Sequence, residues 1–266
     1  AGIAVERHQY FTGLPPGSVR KPDGGAYSVF TPFKKRWIGI CVEQGIHTLP
    51  APVAQGPQVA PALAPDSVAG ISKSLGSNLW RAGESHALEQ LTVFAAKSIR
   101  DYDEHRDLPN LEGTSRLSPH LAAGTLSANQ CLATAYDCND KRLSGGHSSI
   151  DTWISELIWR DFYSHILAEY PHLAMGKAFK AETDLLPWNT SQDQLERWQR
   201  GETGFPLVDA GMRQLNNTGW MHNRLRMVTA QFLTKHLFID WRLGESYFMS
   251  KLVDGEFAAN NGGWQW

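Results

Sequence analysis

The chain has 266 residues, of which 42% are hydrophobic and 20% charged, with a formal net charge of -2 and an isoelectric point near 6.6. This length is enough for one large domain with a sizeable core, and the composition excludes collagen-like, supercharged and largely disordered classes. The weak acidity argues against electrostatic coating of nucleic acid or of an anionic membrane, so any nucleic-acid binding needs a local basic surface.

Cysteine usage and hydropathy predict the compartment. Cys41, Cys131 and Cys138 are odd in number and show no metal-ligand spacing, so we expect neither a disulfide framework nor a metal site. The sequence contains no apolar run long enough to cross a bilayer and no signal peptide. We therefore expect a cytoplasmic protein without a membrane partner. The chain has no initiator methionine and stops in NNGGWQW, so we expect a fragment at both ends.

The first 80 residues carry turn and linker patterns. A Pro/Gly-rich region precedes Tyr27, Val29 and Phe30, which predict a short strand that ends at Pro32. Residues 49–66 hold five prolines among alanines, a composition that cannot propagate a helix and suits an extended linker. We place a domain boundary in this region.

From about residue 80 the pattern is helical. Apolar residues three and four apart predict a helix over about 84–102, and residues 151–170 predict the clearest helix, capped by Asp151 and stopped by Pro171. Further predicted helices cover about 206–216, closed by Gly219, then 222–236 and 245–252. No repeat, heptad or alternating strand pattern follows residue 80, so the fold class is mainly α.

Three clusters of side chains are candidates for chemistry. The loop Thr114–Ser118 offers hydroxyls and a guanidinium before a helix start, which suits a pyrophosphate, although Ser118 before Pro119 also suits a simple N-cap. Arg226 and Asp254 predict a buried ion pair beside a turn rich in Asp, Glu and Asn, where nearby glycines favour close approach of the backbone to a flat ligand. The alternative for that segment is an ordinary Asx-rich turn.

The third cluster lies on the predicted helix 151–170. Its polar stripe has members at positions i, i+3, i+4 and i+7, namely Glu156, Trp159, Arg160 and Tyr163. Together with Asn223, such a stripe could read and stack on a nucleobase, while nearby arginines contact phosphates. The alternative is a solvated helix face with ion pairs. Eight of ten tryptophans lie at or after residue 153, which also suits a plain helical core.

Several long motifs in order identify a family resemblance: EGTSRLSPHLAAG, WISELIWRDFY, TGFPLVDAGMRQLNNTGWMHNRLRMVTAQFL and DWRLGESYFMSKLVDGEFAANNGGWQW. From about residue 80 to the end, the chain closely resembles the flavin-binding region of the DNA photolyase and cryptochrome family, specifically class I cyclobutane pyrimidine dimer photolyases. GGAYSVFTPFKKRW resembles the last part of the family's α/β antenna domain. The resemblance thus implies an antenna remnant over 1–40, a linker over 41–79 and a C-terminally truncated helical FAD-binding catalytic domain over 80–266.

The resemblance implies noncovalent FAD, reduced in the active form. The implied contacts are Tyr102, Thr114, Ser115, Arg116, Leu117, Ser118, Trp153, Arg160, Arg226, Asp254, Gly255, Glu256 and Asn260. Asn260 matches the residue that faces the flavin ring nitrogen, and it favours a photolyase over a cryptochrome. Glu256 stands where the family usually has an aspartate, so its hydrogen bond to the ring is expected to be rearranged. A second chromophore of folate or deazaflavin type is expected only on the missing antenna domain.

The resemblance also implies light-driven repair of UV-damaged DNA by a monomer. Excited reduced flavin passes an electron to a flipped-out dimer, the cyclobutane ring opens, and the electron returns. Glu156, which would stabilise the dimer anion, joins Trp159, Asn223, Met227 and Asn260 as the implied catalytic set. The implied DNA contacts are Arg106, Glu156, Trp159, Arg160, Tyr163, Asn223, Arg224 and Trp266, with Trp266 as second aromatic wall. Trp264, Trp241 and Trp188 match the electron-transfer chain, and Trp198 and Trp220 are interpreted as core.

Three alternatives stay open. The first is a cryptochrome-like FAD photoreceptor that signals without repairing DNA. The second is a 6-4 photolyase, which would require a histidine at Met227 and another near Asn223, and the sequence has methionine at position 227. The third is an inactive helical remnant, which bound FAD would contradict.

Overall fold

The computed structural model describes residues 11–50 and 79–265 of the chain. Within these ranges the regular structure is helical, and β-pairing is limited to two isolated bridges. The helices are α1 (Phe30–Gln44), α2 (Glu84–Lys97), α3 (Tyr102–His105), α4 (Ser118–Ala123), α5 (Ala128–Cys138), α6 (Ser148–Glu169), α7 (Gln192–Arg200), α8 (Pro206–Thr218), α9 (Asn223–Gln231), α10 (Trp241–Lys251) and α11 (Phe257–Gln265). Short 3-10 turns cover Ile99–Asp101, Pro171–Met175 and Ala181–Leu185, and a π-turn covers Phe232–His236. The predicted mainly α class is confirmed.

Helix α6 is the centre of the fold. It packs against α1, α3, α5 and α11, and its buried residues lie on most of its circumference. The predicted helix over 151–170 is confirmed, but it begins at Ser148 and Asp151 is not its cap. The Asp151 carboxylate instead accepts hydrogen bonds from Asn139 Nδ2 at 2.8 Å and from the Gly145 amide at 2.7 Å, which fastens the connection between α5 and α6.

The predicted strand at Tyr27–Phe30 is wrong, because helix α1 begins at Phe30. Pro32 lies in its first turn, where the missing amide costs no hydrogen bond. Phe33, Trp37 and Cys41 recur every four residues and are buried, so packing on α6 outweighs the local preference of aromatic and β-branched residues for strands.

Other boundaries differ in detail. The predicted helix 84–102 is interrupted at Ser98 and divides into α2, a 3-10 turn and α3. Ser118 is the first residue of α4 rather than its cap, since Leu117 occupies the capping position. The glycine-bearing segment after Asp254, interpreted as a turn, is helix α11. Helix α8 ends at Gly219 as predicted, and the helix over 222–236 is α9 continued by the π-turn.

Two apolar cores lie on either side of α11. One surrounds α6, and the other joins α7 to α11 around Trp198, which is fully buried. Helix α11 approaches α6 closely at Gly262, where an added Cβ would lie 2.1 Å from Cδ1 of Tyr163. Glycine is therefore required at this crossing. The predicted domain division stays a prediction, and most of its linker lies outside the described residues. In the described part, no helix has the length and hydropathy of a membrane span.

Candidate active site

The loop before α4 is fixed in place through contacts of its backbone with neighbouring residues. Gly113 packs directly on His105, and an added Cβ would lie 2.4 Å from the His105 Cβ. The carbonyl of Ser115 accepts a hydrogen bond from Gln90 Nε2 at 2.8 Å. Arg116 has a φ of 51°, in the left-handed region that non-glycine residues rarely adopt. The loop thus has a fixed, strained shape.

The hydroxyls of this loop are available to a ligand. Neither Thr114 nor Ser118 uses its hydroxyl in a hydrogen bond with another described residue, and both are half-buried. The Arg116 guanidinium does not join them, since it lies 5.1 Å from the Trp220 ring centroid and 3.3 Å from Glu112 Oε1. Leu117 is 1% exposed and anchors the loop in the core. The loop therefore offers hydroxyl and amide donors, while the Arg116 side chain serves a neighbouring contact.

The predicted buried ion pair is present. Arg226 Nη2 donates to both carboxylate oxygens of Asp254, at 2.9 and 2.7 Å, and Arg226 Nε donates to the Met221 carbonyl at 2.8 Å. The Asp254 side chain is 2% exposed and that of Arg226 is 24% exposed. This pair fixes the end of α10 against the start of α9.

Glu256 caps helix α11. Its carboxylate oxygens accept hydrogen bonds from the amides of Ala258 at 2.9 Å and Ala259 at 2.7 Å, which satisfies two free donors of the first turn. Four residues later, Asn260 donates from Nδ2 to the Glu245 carbonyl at 3.0 Å. Burial raises the pKa of the Glu245 carboxyl. The turn at Gly255 thus leads into a helix whose start is closed by a carboxylate.

Aromatic residues of α2, α3 and α6 pack against one another. Phe94 contacts Tyr102 edge to face at 6.0 Å between centroids and Trp153 at 5.0 Å. Tyr102 and Trp153 are both buried. Burial, followed by the Glu156 charge, raises the pKa of Tyr102. Its hydroxyl therefore stays protonated at neutral pH.

The polar stripe of α6 is engaged along its whole length. Glu156 Oε1 accepts from Arg106 Nη1 at 2.8 Å. Trp159 stacks on Phe30 of α1. Arg160 donates to the Phe11 and Leu121 carbonyls. Burial raises the pKa of Tyr163 to about 12.

Asp107 is a member of the site that the sequence did not single out. Its Oδ1 accepts from Arg224 Nε at 2.7 Å and lies 3.5 Å from Arg106 Nε. Arg224 Nη1 in turn contacts the Met227 sulfur at 3.4 Å. Contacts through Asp107 thereby join Arg106 at the end of α3 to Arg224 of α9. Through these two arginines the network reaches Glu156 of α6 and Met227 of α9. The sequence carries no signal for this contact, because Arg224 lies more than 100 residues after Asp107.

Asn223 and Met227 face outward beside this network. Asn223 is the first residue of α9 and is exposed, and Met227 is 45% exposed. His222, which caps α9, is 2% exposed and accepts the Arg224 amide at Nδ1. Burial, followed by the Arg224 charge, lowers the pKa of His222. The exposed side chains thus stand on a helix start that neutral His222 fixes.

The tryptophans divide between core and site. Trp264 and Trp241 belong to the second core, and Trp188 packs against it. Trp188 Nε1 is buried and has no partner among the described residues. Trp198 donates to the Thr229 carbonyl at 3.0 Å, as its interpretation as core requires. Trp266 lies outside the described residues.

Most of the site residues lie in a part of the chain that matches a known protein family. Residues 153–266 match the family described as the FAD binding domain of DNA photolyase. This part of the chain belongs to that family. The chain is also 46% identical over 255 residues to the deoxyribodipyrimidine photo-lyase of Escherichia coli strain K12, covering 95% of this chain and 53% of that protein. The chain thus spans about half the length of the curated relatives that it matches.

Solved structures agree with this family. A bacterial class III photolyase from Agrobacterium tumefaciens superimposes with a TM-score of 0.77 at 34% identity, covering 96% of this chain and 53% of that one. A cryptochrome from Synechocystis sp. PCC6803 gives a TM-score of 0.64 at 36% identity, covering 70% and 38%. The recognition of the photolyase and cryptochrome family is confirmed, together with its helical fold.

Proposed function

We propose that the chain binds FAD noncovalently and forms the catalytic part of a light-driven enzyme that repairs cyclobutane pyrimidine dimers in DNA. The observation that carries this proposal is the network of Glu156, Arg106, Asp107 and Arg224, two carboxylates and two guanidiniums beside an aromatic stripe. The names of the relatives, which are deoxyribodipyrimidine photo-lyases, support the same reaction.

The residues present fit the cofactor. The unused hydroxyls of Thr114 and Ser118 would bind its phosphates, together with Ser115 and the amides of the strained loop. The Arg226–Asp254 pair and Asn260 would face the ring, with Trp153 and Tyr102 as neighbours. When bound, FAD supplies absorption of light and transfer of one electron. Glu256 has both oxygens on α11 amides, so its contribution is to position that helix.

The substrate would be held by the chain's own side chains. A flipped dimer has to leave the base stack, at a cost of a few kcal/mol that is smaller for a damaged base. Glu156 is about one-third exposed and would place a hydrogen bond on the dimer, where charge develops. Trp159 would stack on the base, while Asn223 and Met227 complete the wall beside it. Trp266, Arg160 and Tyr163 stay predicted DNA contacts.

The second core would connect the flavin to the surface. Trp264 and Trp241 are both less than one-tenth exposed, and Trp188 lies at the edge of the same core. We propose that these indoles carry the electron that keeps the cofactor reduced. The free cysteines fit a reducing cytoplasm, and we propose a monomer there.

A cryptochrome-like photoreceptor is the second candidate, since a cryptochrome is among the similar structures. Asn260 and the intact Glu156, Trp159, Asn223 and Met227 set favour repair. Membership of class I within the photolyases stays a prediction, because the relatives' names give no class and the similar bacterial photolyase is a class III enzyme.

The decisive experiment combines a flavin spectrum with a repair assay. We expect the purified chain, supplied with FAD, to show a bound flavin spectrum that bleaches under blue light with a reductant and to restore a thymine-dimer oligonucleotide. Glu156→Ala should retain the flavin and lose repair by roughly 10²-fold. Glu196→Gln, at an exposed pair on α7, serves as the control. Flavin binding with photoreduction but no repair would favour the photoreceptor, and no flavin binding would contradict both.

A further inference from the structure

The carboxylate of Asp107 occupies one edge of a guanidinium on the proposed DNA face. Arg224 points Nε and Nη2 at the same Oδ1 atom, at 2.7 and 2.6 Å. Arg106 Nε lies 3.5 Å from that atom, while Arg106 Nη1 is bound to Glu156. One carboxylate oxygen thus lies between the two arginines predicted to contact DNA.

Stability does not explain this arrangement. The Asp107 side chain is 54% exposed and that of Arg224 is 36% exposed, and exposed ion pairs contribute little to folding because water screens them. The Nε and Nη2 atoms of arginine form the fork that binds a phosphate through two parallel hydrogen bonds. Asp107 therefore competes with phosphate for the edge of Arg224 that binds it best.

The consequence differs for the two kinds of DNA. Undamaged duplex offers phosphates but no flipped base, so it meets the negative charge of Asp107 and gains nothing from a fixed guanidinium. On the proposed function, a damaged strand would place a base near Glu156 and a phosphate near Arg224 at the same time. Because Asp107 already holds Arg224 at a set position relative to Glu156, binding of the damaged strand then costs less side-chain conformational entropy.

We propose that Asp107 is a positioning residue that sets the preference for damaged over undamaged DNA. It holds Arg106 and Arg224 in place for the phosphates that flank a flipped lesion and shields them from intact duplex. This inference rests on the proposed function, since it requires that the chain bind dimer-containing DNA.

The test compares binding of a fluorescent duplex with and without one thymine dimer, by anisotropy over a range of KCl concentrations. Asp107→Asn frees one guanidinium, so the slope of log K against log salt for undamaged duplex should become steeper by about 0.9. The preference for the dimer should fall by roughly three- to tenfold. Asp107→Glu keeps the charge and should recover most of the preference.

Matched variants separate positioning from net charge. Asp193→Asn removes the same charge from an exposed pair with Arg197 on α7 and should leave the preference unchanged. In an Arg224→Gln background, Asp107→Asn should no longer steepen the slope. Asp107 and Asp193 are exposed and Arg224 is half-buried. Thermal unfolding confirms that each variant is folded.

The outcomes are distinguishable. If the unaltered chain shows no preference for the dimer, the proposed function is wrong and the inference falls with it. If the chain prefers the dimer but Asp107→Asn leaves both slope and preference unchanged, or if Asp193→Asn has the same effect, only the role of Asp107 is overturned.

Discussion

Phe30 of α1 lies face to face with Trp159 of α6, with ring centroids 3.7 Å apart and planes 6° from parallel. A base that stacks on this face of Trp159 therefore has to displace Phe30. Helix α1, which lies more than 100 residues before α6 in sequence, thus influences a predicted wall of the lesion pocket.

Phe30→Ala should uncover this face of Trp159. We expect acrylamide to quench tryptophan emission more strongly and the affinity for dimer-containing DNA to rise, since stacking of one base contributes about 1–3 kcal/mol. Phe205→Ala, at a residue that is 57% exposed and packs against Phe232, is the control. Stronger quenching with unchanged affinity would show that the dimer does not use this face.

Arg226→Ala should destabilise the fold and release flavin together. It leaves the carboxylate of Asp254, whose side chain is 2% exposed, without its cation. We expect a loss of about 3 kcal/mol in the free energy of unfolding, at the low end for a buried pair because Arg226 is partly exposed. Urea unfolding and flavin absorbance after gel filtration measure the two effects.

The comparison variant for that pair is Arg200→Ala, because Arg200 pairs with Glu196 and Glu202 at the surface. It should leave the free energy of unfolding close to that of the unaltered chain, because water screens exposed ion pairs. Normal stability and normal flavin content in Arg226→Ala would refute the importance of the buried pair.

Gly244→Ala should disturb Trp264. The new Cβ would lie 2.2 Å from Cη2 of Trp264 and 2.6 Å from Cδ2 of Leu233, so the indole has to move. We expect a loss of roughly 1–3 kcal/mol of stability and slower photoreduction of bound flavin, read from absorbance under blue light. Gly263→Ala adds a methyl that meets nothing within 4 Å and should retain photoreduction. Equal rates in both variants would argue against an electron path through Trp264.

Asp161 should make stability depend on pH. Burial raises its pKa from 3.8 to about 6, although the Leu14 and Gly13 amides and the Trp37 indole donate to it. Between these values the folded chain binds more protons than the unfolded chain. The free energy of unfolding should therefore fall as pH rises from 3.8 to about 6, by about 3 kcal/mol.

Asp161→Asn removes that titration and leaves at least one buried donor without an acceptor. Its unfolding free energy should lose the decline across this pH range and lie about 1–3 kcal/mol below the unaltered chain at neutral pH. Asp137→Asn, at an exposed pair with Lys141, should keep the decline. An unchanged pH profile in Asp161→Asn would mean that Asp161 does not titrate in this range.

Helix periodicity was enough to predict most of the helical part of the fold. Residues 151–170 and 206–216 repeat apolar positions over several turns, and the structure has helices there. The sequence did not predict helix α1. Its apolar residues are covered by a helix distant in sequence, and the strand preference of four residues outweighed the recurrence of a buried apolar residue at every fourth position. The segment after Asp254 was missed because its glycines, which are poor helix formers, serve close packing against Tyr163.

Part of the candidate site could likewise be predicted from the sequence, and part could not. Arg226 and Asp254 could be paired in advance because opposite charges in an apolar setting need each other. The role of Asp107 could not be predicted from the sequence, since it depends on α9 lying beside the end of α3. Sequence separation of more than 100 residues hides such contacts until the fold is known.

The attachment of residues 11–50 to α6 has a consequence for proteolysis. Gly13, Leu14 and Trp37 all donate to Asp161, and Phe30 covers Trp159. These noncovalent contacts do not require an intact backbone between residues 50 and 79. A nicked chain would therefore run as two bands on a denaturing gel and as one species on a native column, and removal of the smaller piece would expose apolar surface on α6.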